Sequence, residues 1–160
     1  MASNPSTIDD ASAARRPARA VILVVDDDEA QRDSLKEDLE QEGFAVEVAA
    51  GGRAGVERVK RGGVDLVVSD VKMPDLDGLD LLREVRAVEP TLGVIIITGF
   101  GSIDTAFRAV KLGASDFLTK PFDTERLLVT IKNALAGRAL RLEVVRLRDE
   151  VNRRERLDNL

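Results

Sequence analysis

Short apolar runs alternate with segments of helical periodicity along most of this chain, and that alternation constrains the fold more than any other feature. Val21–Val25 and Val94–Ile97 are apolar throughout, and Val64–Ser69 is interrupted only by one aspartate. Such alternation indicates βαβ units around a parallel sheet. The predicted strands span residues 21–25, 44–49, 64–69, 94–97 and 115–119, and the predicted helices span 29–42, 52–61, 78–88 and 102–112, with a last helix from about residue 123.

The strands differ in a way that predicts their order in the sheet. The first, third and fourth are nearly continuous in apolar residues, as expected for strands covered by helices on both faces. In the second, Phe44, Val46 and Val48 alternate with polar residues such as Glu47, and the fifth is half polar, so these two are expected at the edges. With right-handed crossovers the order is 2-1-3-4-5, a flavodoxin-like doubly wound α/β fold.

Composition excludes several classes of function. The 160 residues suggest about one domain, and the chain is 44% hydrophobic and 33% charged, with a net charge of −5. There is no Cys and no His, which excludes disulfide scaffolds, thiolate or imidazole metal sites and catalytic triads. The acidic balance, with neither Trp nor Tyr, argues against direct nucleic-acid binding.

No membrane or export signal is found. No apolar run approaches the roughly 20 residues of a membrane span, and no apolar segment of signal-peptide type follows the arginines near the start of the chain. Residues 1–19, rich in Ala, Ser, Asp and Pro, are expected to form a disordered tail. These features predict a cytoplasmic protein.

Polar residues follow the strands that converge at one edge of the predicted sheet. Asp26–Asp28 follow the first strand, Asp70 the third, Thr98 the fourth and Lys120 the fifth. Ligand sites in such sheets lie at the carboxyl ends of the strands. Clustered carboxylates suit Mg²⁺, and a carboxylate nucleophile beside a Lys suits formation of an aspartyl phosphate. Asp28 is equally well explained as a cap of the next helix.

These segments resemble a response-regulator receiver domain, in order and spacing, from about residue 20 to about residue 138. The resemblance implies that Asp70 is the phosphoacceptor and Lys120 the phosphate partner. Asp27 would bind Mg²⁺ directly, Asp26 mainly through water, and Lys72 through its backbone carbonyl. The segments that carry the resemblance are Val24–Asp28, Asp70–Gly78, Ile97–Gly99 and Lys120–Phe122.

The resemblance also implies a switch. Thr98 would be the switch hydroxyl, and the switch aromatic position on the fifth strand is Phe117, where the family often has Tyr. Gly99 stands where the family often has Ala, and Phe100, like Lys72, occupies a position that tunes the lifetime of the phosphoryl group. The family usually has the bond between Lys120 and the following proline in cis.

The C-terminal segment extends beyond a receiver. Leu140, Val144, Leu147 and Val151 follow a 4-3-4 spacing, and i,i+4 charge pairs flank them, which predicts a coiled-coil-like linker helix over 139–160. The alternative is a helix folded back on its own domain. The segment resembles the linker that precedes the AAA+ ATPase domain of sigma-54-dependent transcriptional activators, and the effector domain of such a protein lies outside this sequence.

The sequence as a whole predicts a two-component signalling switch that controls transcription. Its partners would be a sensor histidine kinase and a second copy of the chain, joined through the linker helix or through the fourth helix, fifth strand and fifth helix. The alternative is a receiver-like adaptor that acts without phosphorylation. A hydrolase of the haloacid-dehalogenase kind fits less well, because Lys72 stands where such an enzyme needs its second acid.

Overall fold

A computed structural model describes residues 19–99 and 103–158. Its five strands form one parallel sheet in the order β2-β1-β3-β4-β5, which confirms the predicted flavodoxin-like arrangement. The strands are β1 (Val21–Val25), β2 (Ala45–Ala49), β3 (Leu66–Asp70), β4 (Gly93–Thr98) and β5 (Asp116–Thr119). The helices are α1 (Glu29–Gln41), α2 (Gly52–Lys60), α3 (Gly78–Val88), α4 (Ile103–Lys111) and α5 (Thr124–Asp158).

Helices cover the sheet on both faces, which explains why the central strands are apolar throughout. All six residues of β4 are buried, whereas β2 and β5, at the edges, are only partly buried. On one face, side chains such as Leu23 and Val67 pack against α2, α3 and α4. On the other face, Ile22 and Val68 pack against α1 and the first half of α5. The two layers hold the strand ends in fixed positions.

The predicted start of the third strand is wrong by two residues. β3 begins at Leu66 rather than Val64 and continues through Asp70. The reason is Asp65, whose carboxylate accepts a hydrogen bond from the backbone N–H of Val21 at 2.8 Å and forms an ion pair with Arg138 at 2.8 Å. The aspartate that interrupts the apolar run is therefore a link between the sheet and α5.

α5 is one unbroken helix of 35 residues, and its second half leaves the sheet. Its contacts with the domain continue as far as Arg141, whose guanidinium donates to the carbonyl of Thr91 at 3.0 and 3.1 Å. The apolar stripe that begins at Leu140 is solvent-exposed, so the helix does not fold back on its domain. None of the helices in the described ranges has the length and apolar character needed to cross a bilayer.

Parts of four predicted features lie outside the described residues. These are residues 1–18 of the tail predicted over 1–19, the position of Phe100, Ser102 at the start of the helix predicted over 102–112, and residues 159–160 of the predicted linker.

Candidate functional site

The residues predicted at the strand ends meet at one edge of the sheet. Asp26 follows β1, Asp70 ends β3, Thr98 ends β4 and Lys120 follows β5. The ammonium Nζ of Lys120 lies 3.1 Å from Oδ2 of Asp70, although the two residues are 50 positions apart. The Lys120 backbone N–H donates to the carbonyl of Thr98 at 2.9 Å, so both ends of this residue are fixed against neighbouring strands. The result is a carboxylate paired with one cation in a crevice.

Asp26 lies deeper in the crevice than its neighbours. Only 8% of its surface is exposed, and its Oδ1 accepts a hydrogen bond from the Asp28 backbone N–H at 2.9 Å. Burial raises the pKa of the Asp26 carboxyl above its ordinary value, and the negative charges of Asp70 and Asp27 raise it further, against the opposing effects of that hydrogen bond and of Lys120. The crevice therefore has an excess of negative charge that a bound cation would relieve.

The donors in the crevice fit Mg²⁺ by their chemistry. All of the candidate ligands are oxygens, namely the carboxylates of Asp26, Asp27 and Asp70 and the backbone carbonyl of Lys72, and Mg²⁺ takes one or two carboxylates together with several waters. Within residues 19–99 and 103–158 no three acidic side chains are gathered closely enough to hold a metal ion by themselves. Water and the backbone carbonyl would therefore have to complete the coordination. Asp27 and Lys72 both line a shallow cavity of about 420 Å³ beside the crevice.

Two other aspartates are helix caps. The Asp28 carboxylate accepts from the Gln31 backbone N–H at 3.1 Å at the start of α1, which confirms the structural explanation of this residue. Asp77 caps α3 in the same way, accepting from the Asp80 backbone N–H at 2.8 Å. The segment before α3 is therefore a turn into a helix.

The loop that follows Asp70 is held tightly against it. Oδ1 of Asp70 accepts from the Val71 backbone N–H at 2.7 Å, and the Gly78 backbone N–H donates to the Val71 carbonyl at 2.8 Å. Gly78 packs so closely on the Asp70 carbonyl that a Cβ at this position would overlap it. The glycine at the start of α3 is thus required by space, and it fixes the backbone that carries the carboxylate.

Asp75 ties the same loop to α2. Its carboxylate accepts from the backbone N–H groups of Gly52 at 3.1 Å and Arg53 at 3.0 Å, so it caps a helix whose own N-cap residue, Gly51, has no side chain to do so. These hydrogen bonds, that of Arg53 above all, lower the pKa of Asp75. Sequence reasoning missed this residue, and the only available signal was the pair of glycines at the start of α2, Gly51 and Gly52.

The two predicted switch residues lie on adjacent strands. Thr98 is 1% exposed and its hydroxyl donates to the carbonyl of Leu118 at 3.4 Å, so it is engaged with β5 in this structure. Phe117 is half-buried and packs against the core on the α2–α4 face of the sheet. The peptide bond between Lys120 and Pro121 is cis, as the resemblance implied.

Gln31 is the second residue that sequence reasoning missed. Its Oε1 lies 2.8 Å from Nζ of Lys120, so the ammonium is shared between Gln31 and Asp70. Gln31 is exposed on the first turns of α1 and is 89 positions away from Lys120, and only the assembled fold brings the two together.

The comparison with protein families agrees with this geometry. Residues 22–132 match the family described as the response regulator receiver domain. The chain therefore belongs to the response regulator receiver family.

Among individual relatives, the transcriptional regulatory protein ZraR of Escherichia coli strain K12 is 42% identical over 115 residues, which are 72% of this chain and 26% of ZraR. The chain thus spans about a quarter of that relative's length. Two solved structures are also similar. The beryllofluoride-activated NtrC4 receiver domain dimer is 42% identical, with a TM-score of 0.70 over 74% of this chain and 98% of the other. NtrX from Brucella abortus, in complex with ADP, is 37% identical, with a TM-score of 0.76 over 81% of this chain and 30% of the other.

Proposed function

We propose that this chain is a phosphorylation switch that accepts a phosphoryl group from a sensor histidine kinase on Asp70. The observation that carries the proposal is that the Asp70 carboxylate pairs with the Lys120 ammonium at 3.1 Å. The pair lies beside Asp26, whose pKa is raised by burial and by the neighbouring negative charges. A carboxylate of this kind is a known nucleophile toward phosphorus. The chain is a signalling domain, and the only chemistry proposed for it is its own phosphorylation and dephosphorylation.

The acidic crevice would hold Mg²⁺. Asp27 and Asp70 would bind it directly, Asp26 mainly through water, and Lys72 through its backbone carbonyl. When bound, the ion would neutralise charge on the incoming phosphoryl oxygens. The neutralisation would also offset the repulsion from Asp70 and Asp27, which adds to the effect of burial in raising the pKa of Asp26.

The positions of the side chains support a mechanism of phosphoryl transfer. A carboxylate oxygen of Asp70 attacks the phosphorus of a phosphohistidine, the P–O bond forms, and the P–N bond breaks with the kinase imidazole as leaving group. The Lys120 ammonium already contacts Asp70 and would stabilise the negative charge that develops on the phosphoryl oxygens. Such catalysis consists of positioning and charge stabilisation.

The phosphoryl group would then act on the switch residues. Thr98, which donates to the Leu118 carbonyl at 3.4 Å, would turn its hydroxyl to a phosphoryl oxygen. Giving up that bond would loosen the contact with β5, and the half-buried Phe117 would pack further inward. The change would reach the surface made of α4, β5 and α5, where Ile103, Phe107 and Val110 are exposed.

A second copy of the chain is the proposed partner of α5. At 100° per residue, Leu140, Val144, Leu147 and Val151 fall within about 60° of one another and face away from the side of α5 that packs on the sheet. All four are exposed, and a lone helix of this kind needs a partner to bury them. The NtrC4 receiver, a dimer in its solved structure, supports self-association of the chain.

We assign residues 20–138 to the receiver and 139–160 to a linker that leads to an effector domain. A relative named as a transcriptional regulatory protein supports control of transcription. The resemblance of the C-terminal segment to the linker of sigma-54-dependent activators leads us to propose that the effector domain is an AAA+ domain of that kind. On this account the protein acts in the cytoplasm, and these 160 residues contact no nucleic acid themselves.

Intact-mass measurement after incubation with acetyl phosphate tests the function. The wild type should gain one phosphoryl group with Mg²⁺ and none without it, whereas Asp70→Asn should gain none in either case. If the folded wild type gains no mass in the presence of Mg²⁺, the proposal is wrong and a phosphorylation-independent adaptor is the better description.

A further inference from the structure

The ammonium of Lys120 has a second acceptor beside the carboxylate that it serves. Its Nζ donates to Gln31 Oε1 at 2.8 Å and to Asp70 Oδ2 at 3.1 Å, so the contact with the glutamine is the shorter of the two. Lys has three donors and no acceptor, which means that the amide must present its oxygen to the ammonium and its NH₂ group elsewhere. The orientation of the Gln31 amide is therefore fixed by chemistry.

The backbone of Gln31 is fixed by a hydrogen bond to the residue that caps α1. Its N–H donates to Oδ1 of Asp28 at 3.1 Å, so the same cap that starts α1 places the glutamine on the first turns of the helix. On the opposite side, the Lys120 backbone N–H is bonded to the Thr98 carbonyl at 2.9 Å. Gln31 and Lys120 thus form a bridge from the start of α1 to the end of β5, and the bridge spans the crevice.

We propose that Gln31 is a positioning residue for phosphoryl transfer, which holds the Lys120 ammonium over Asp70. The inference rests on the proposed phosphorylation of Asp70. Lys has a flexible four-carbon stem, and about a third of the Lys120 side chain is solvent-exposed at 34%, so the carboxylate alone leaves the ammonium free to turn into solvent. A second acceptor limits that freedom and keeps the ammonium where charge develops on the phosphoryl oxygens.

A neutral amide suits this position better than a carboxylate. The crevice already contains the carboxylates of Asp26, Asp27 and Asp70, whose negative charges repel one another. Gln31 accepts a hydrogen bond from Lys120 without adding another negative charge to that cluster or competing with Asp70 for the full charge of the ammonium. Its role is to aim Lys120 rather than to neutralise it.

The test compares Gln31→Leu with Gln41→Leu, which makes the same chemical change on an exposed residue at the other end of α1. Loss of one solvent-exposed hydrogen bond predicts that Gln31→Leu is phosphorylated by acetyl phosphate about two- to tenfold more slowly, with the same melting temperature and Mg²⁺ affinity as the wild type. Gln41→Leu should match the wild type in all three measurements. A wild-type rate for Gln31→Leu, or a faster one, would overturn the role.

A second readout reports the contact without any phosphorylation. In ¹⁵N-lysine NMR of the unphosphorylated protein, the Lys120 ammonium signal, assigned by its loss in Lys120→Arg, should be visible in the wild type and in Gln41→Leu, and broadened by solvent exchange in Gln31→Leu. An unchanged signal in Gln31→Leu contradicts the proposal. If the wild type gains no phosphoryl group while this signal responds as expected, the phosphorylation function has failed and the glutamine–lysine contact has not.

Discussion

Arg138 and Asp65 form an ion pair of 2.8 Å at the opposite end of the sheet from the acidic crevice, and they join α5 to the segment that leads into β3. The second oxygen of the Asp65 carboxylate accepts from the Val21 backbone N–H at 2.8 Å, so one side chain connects α5 with two neighbouring strands of the sheet. One turn further on, Arg141 contacts the carbonyl of Thr91. These arginines set the direction in which the linker helix leaves the domain.

Removing Arg138 should therefore cost stability. We expect Arg138→Ala to lower the free energy of unfolding by roughly 1 kcal/mol, because Asp65 keeps its backbone donor but loses its charged partner near the surface. Arg148→Ala, an exposed arginine on the same helix, should change it by much less. Urea unfolding of both variants measures the difference, and equal stabilities would show that the ion pair contributes nothing.

Of the two glycines that flank the site, Gly78 should be sensitive to substitution by alanine and Gly99 should not. Gly78→Ala places a methyl group against the Asp70 carbonyl and the Val71 Cα, and overpacking of this kind costs about 1–3 kcal/mol. It should also slow phosphorylation, since the backbone of the acceptor residue must move. A Cβ on Gly99 meets no atom of residues 19–97 or 103–158 within 4 Å, so Gly99→Ala should keep both stability and rate. Urea unfolding and intact-mass kinetics distinguish the two, and a fully active, stable Gly78→Ala would contradict the packing argument.

The raised pKa of Asp26 predicts a pH dependence of stability. A carboxyl whose pKa is higher in the folded protein than in the unfolded chain binds more protons when folded, so stability falls as pH rises from the ordinary value of about 3.9 through the raised one. Without Mg²⁺, Asp26→Asn should melt a few degrees above the wild type at pH 7, and this advantage should vanish near pH 3. Its amide oxygen can still accept the Asp28 N–H.

Asp149→Asn, a change at an exposed carboxylate on α5, is the control and should melt with the wild type. Mg²⁺ should reduce the advantage of Asp26→Asn at pH 7 or reverse it, because the ion stabilises the wild-type crevice more. Thermal melts at the two pH values, with and without Mg²⁺, provide the comparison. If Asp26→Asn melts above the wild type by the same amount at both pH values, packing rather than charge explains its higher melting temperature.

Two adjacent valines on α5 test the proposed dimer. Val144 and Val145 are both 45% exposed, but only Val144 lies on the stripe with Leu140 and Leu147. Val144→Glu removes two buried valines per dimer, each contributing about 1.5–3 kcal/mol when fully buried, and should weaken association by at least about 100-fold. Val145→Glu should leave the association constant near that of the wild type. Sedimentation equilibrium measures both, and equal effects would place the dimer interface elsewhere.

The fold and most of the site were predictable because they depend on local pattern and on the geometry of parallel sheets. Continuous apolar runs identified the central strands, and the strand-end rule brought Asp26, Asp70 and Lys120 together. The residues that were missed act across long separations. Gln31 meets Lys120 over 89 positions, Asp75 meets Gly52 over 23, and Asp65 meets Arg138 over 73.

No local pattern marks such contacts, since an exposed glutamine or aspartate looks the same with or without its distant partner. The ion pairs on α5 show that sequence spacing alone does not predict partners even between residues close in the chain. Spacing predicts i,i+4 pairs between Glu150 and Arg154 and between Asp149 and Arg153, and within the described part of the chain only the first of these two forms, at 3.0 Å. Arg146, outside both predicted pairs, forms ion pairs with Glu143 and, at 3.6 Å, with Glu150. Spacing allows several partners, and side-chain rotamers decide among them.

The most direct test of the account is to map the phosphoryl group onto the chain. After incubation with acetyl phosphate and Mg²⁺, borohydride reduction converts an aspartyl phosphate to homoserine, and peptide mass spectrometry locates the modified residue. The account predicts modification of Asp70 in the wild type and of no residue in Asp70→Asn. Homoserine at Asp26 or Asp27 in the wild type, or no homoserine anywhere in the chain, would contradict it.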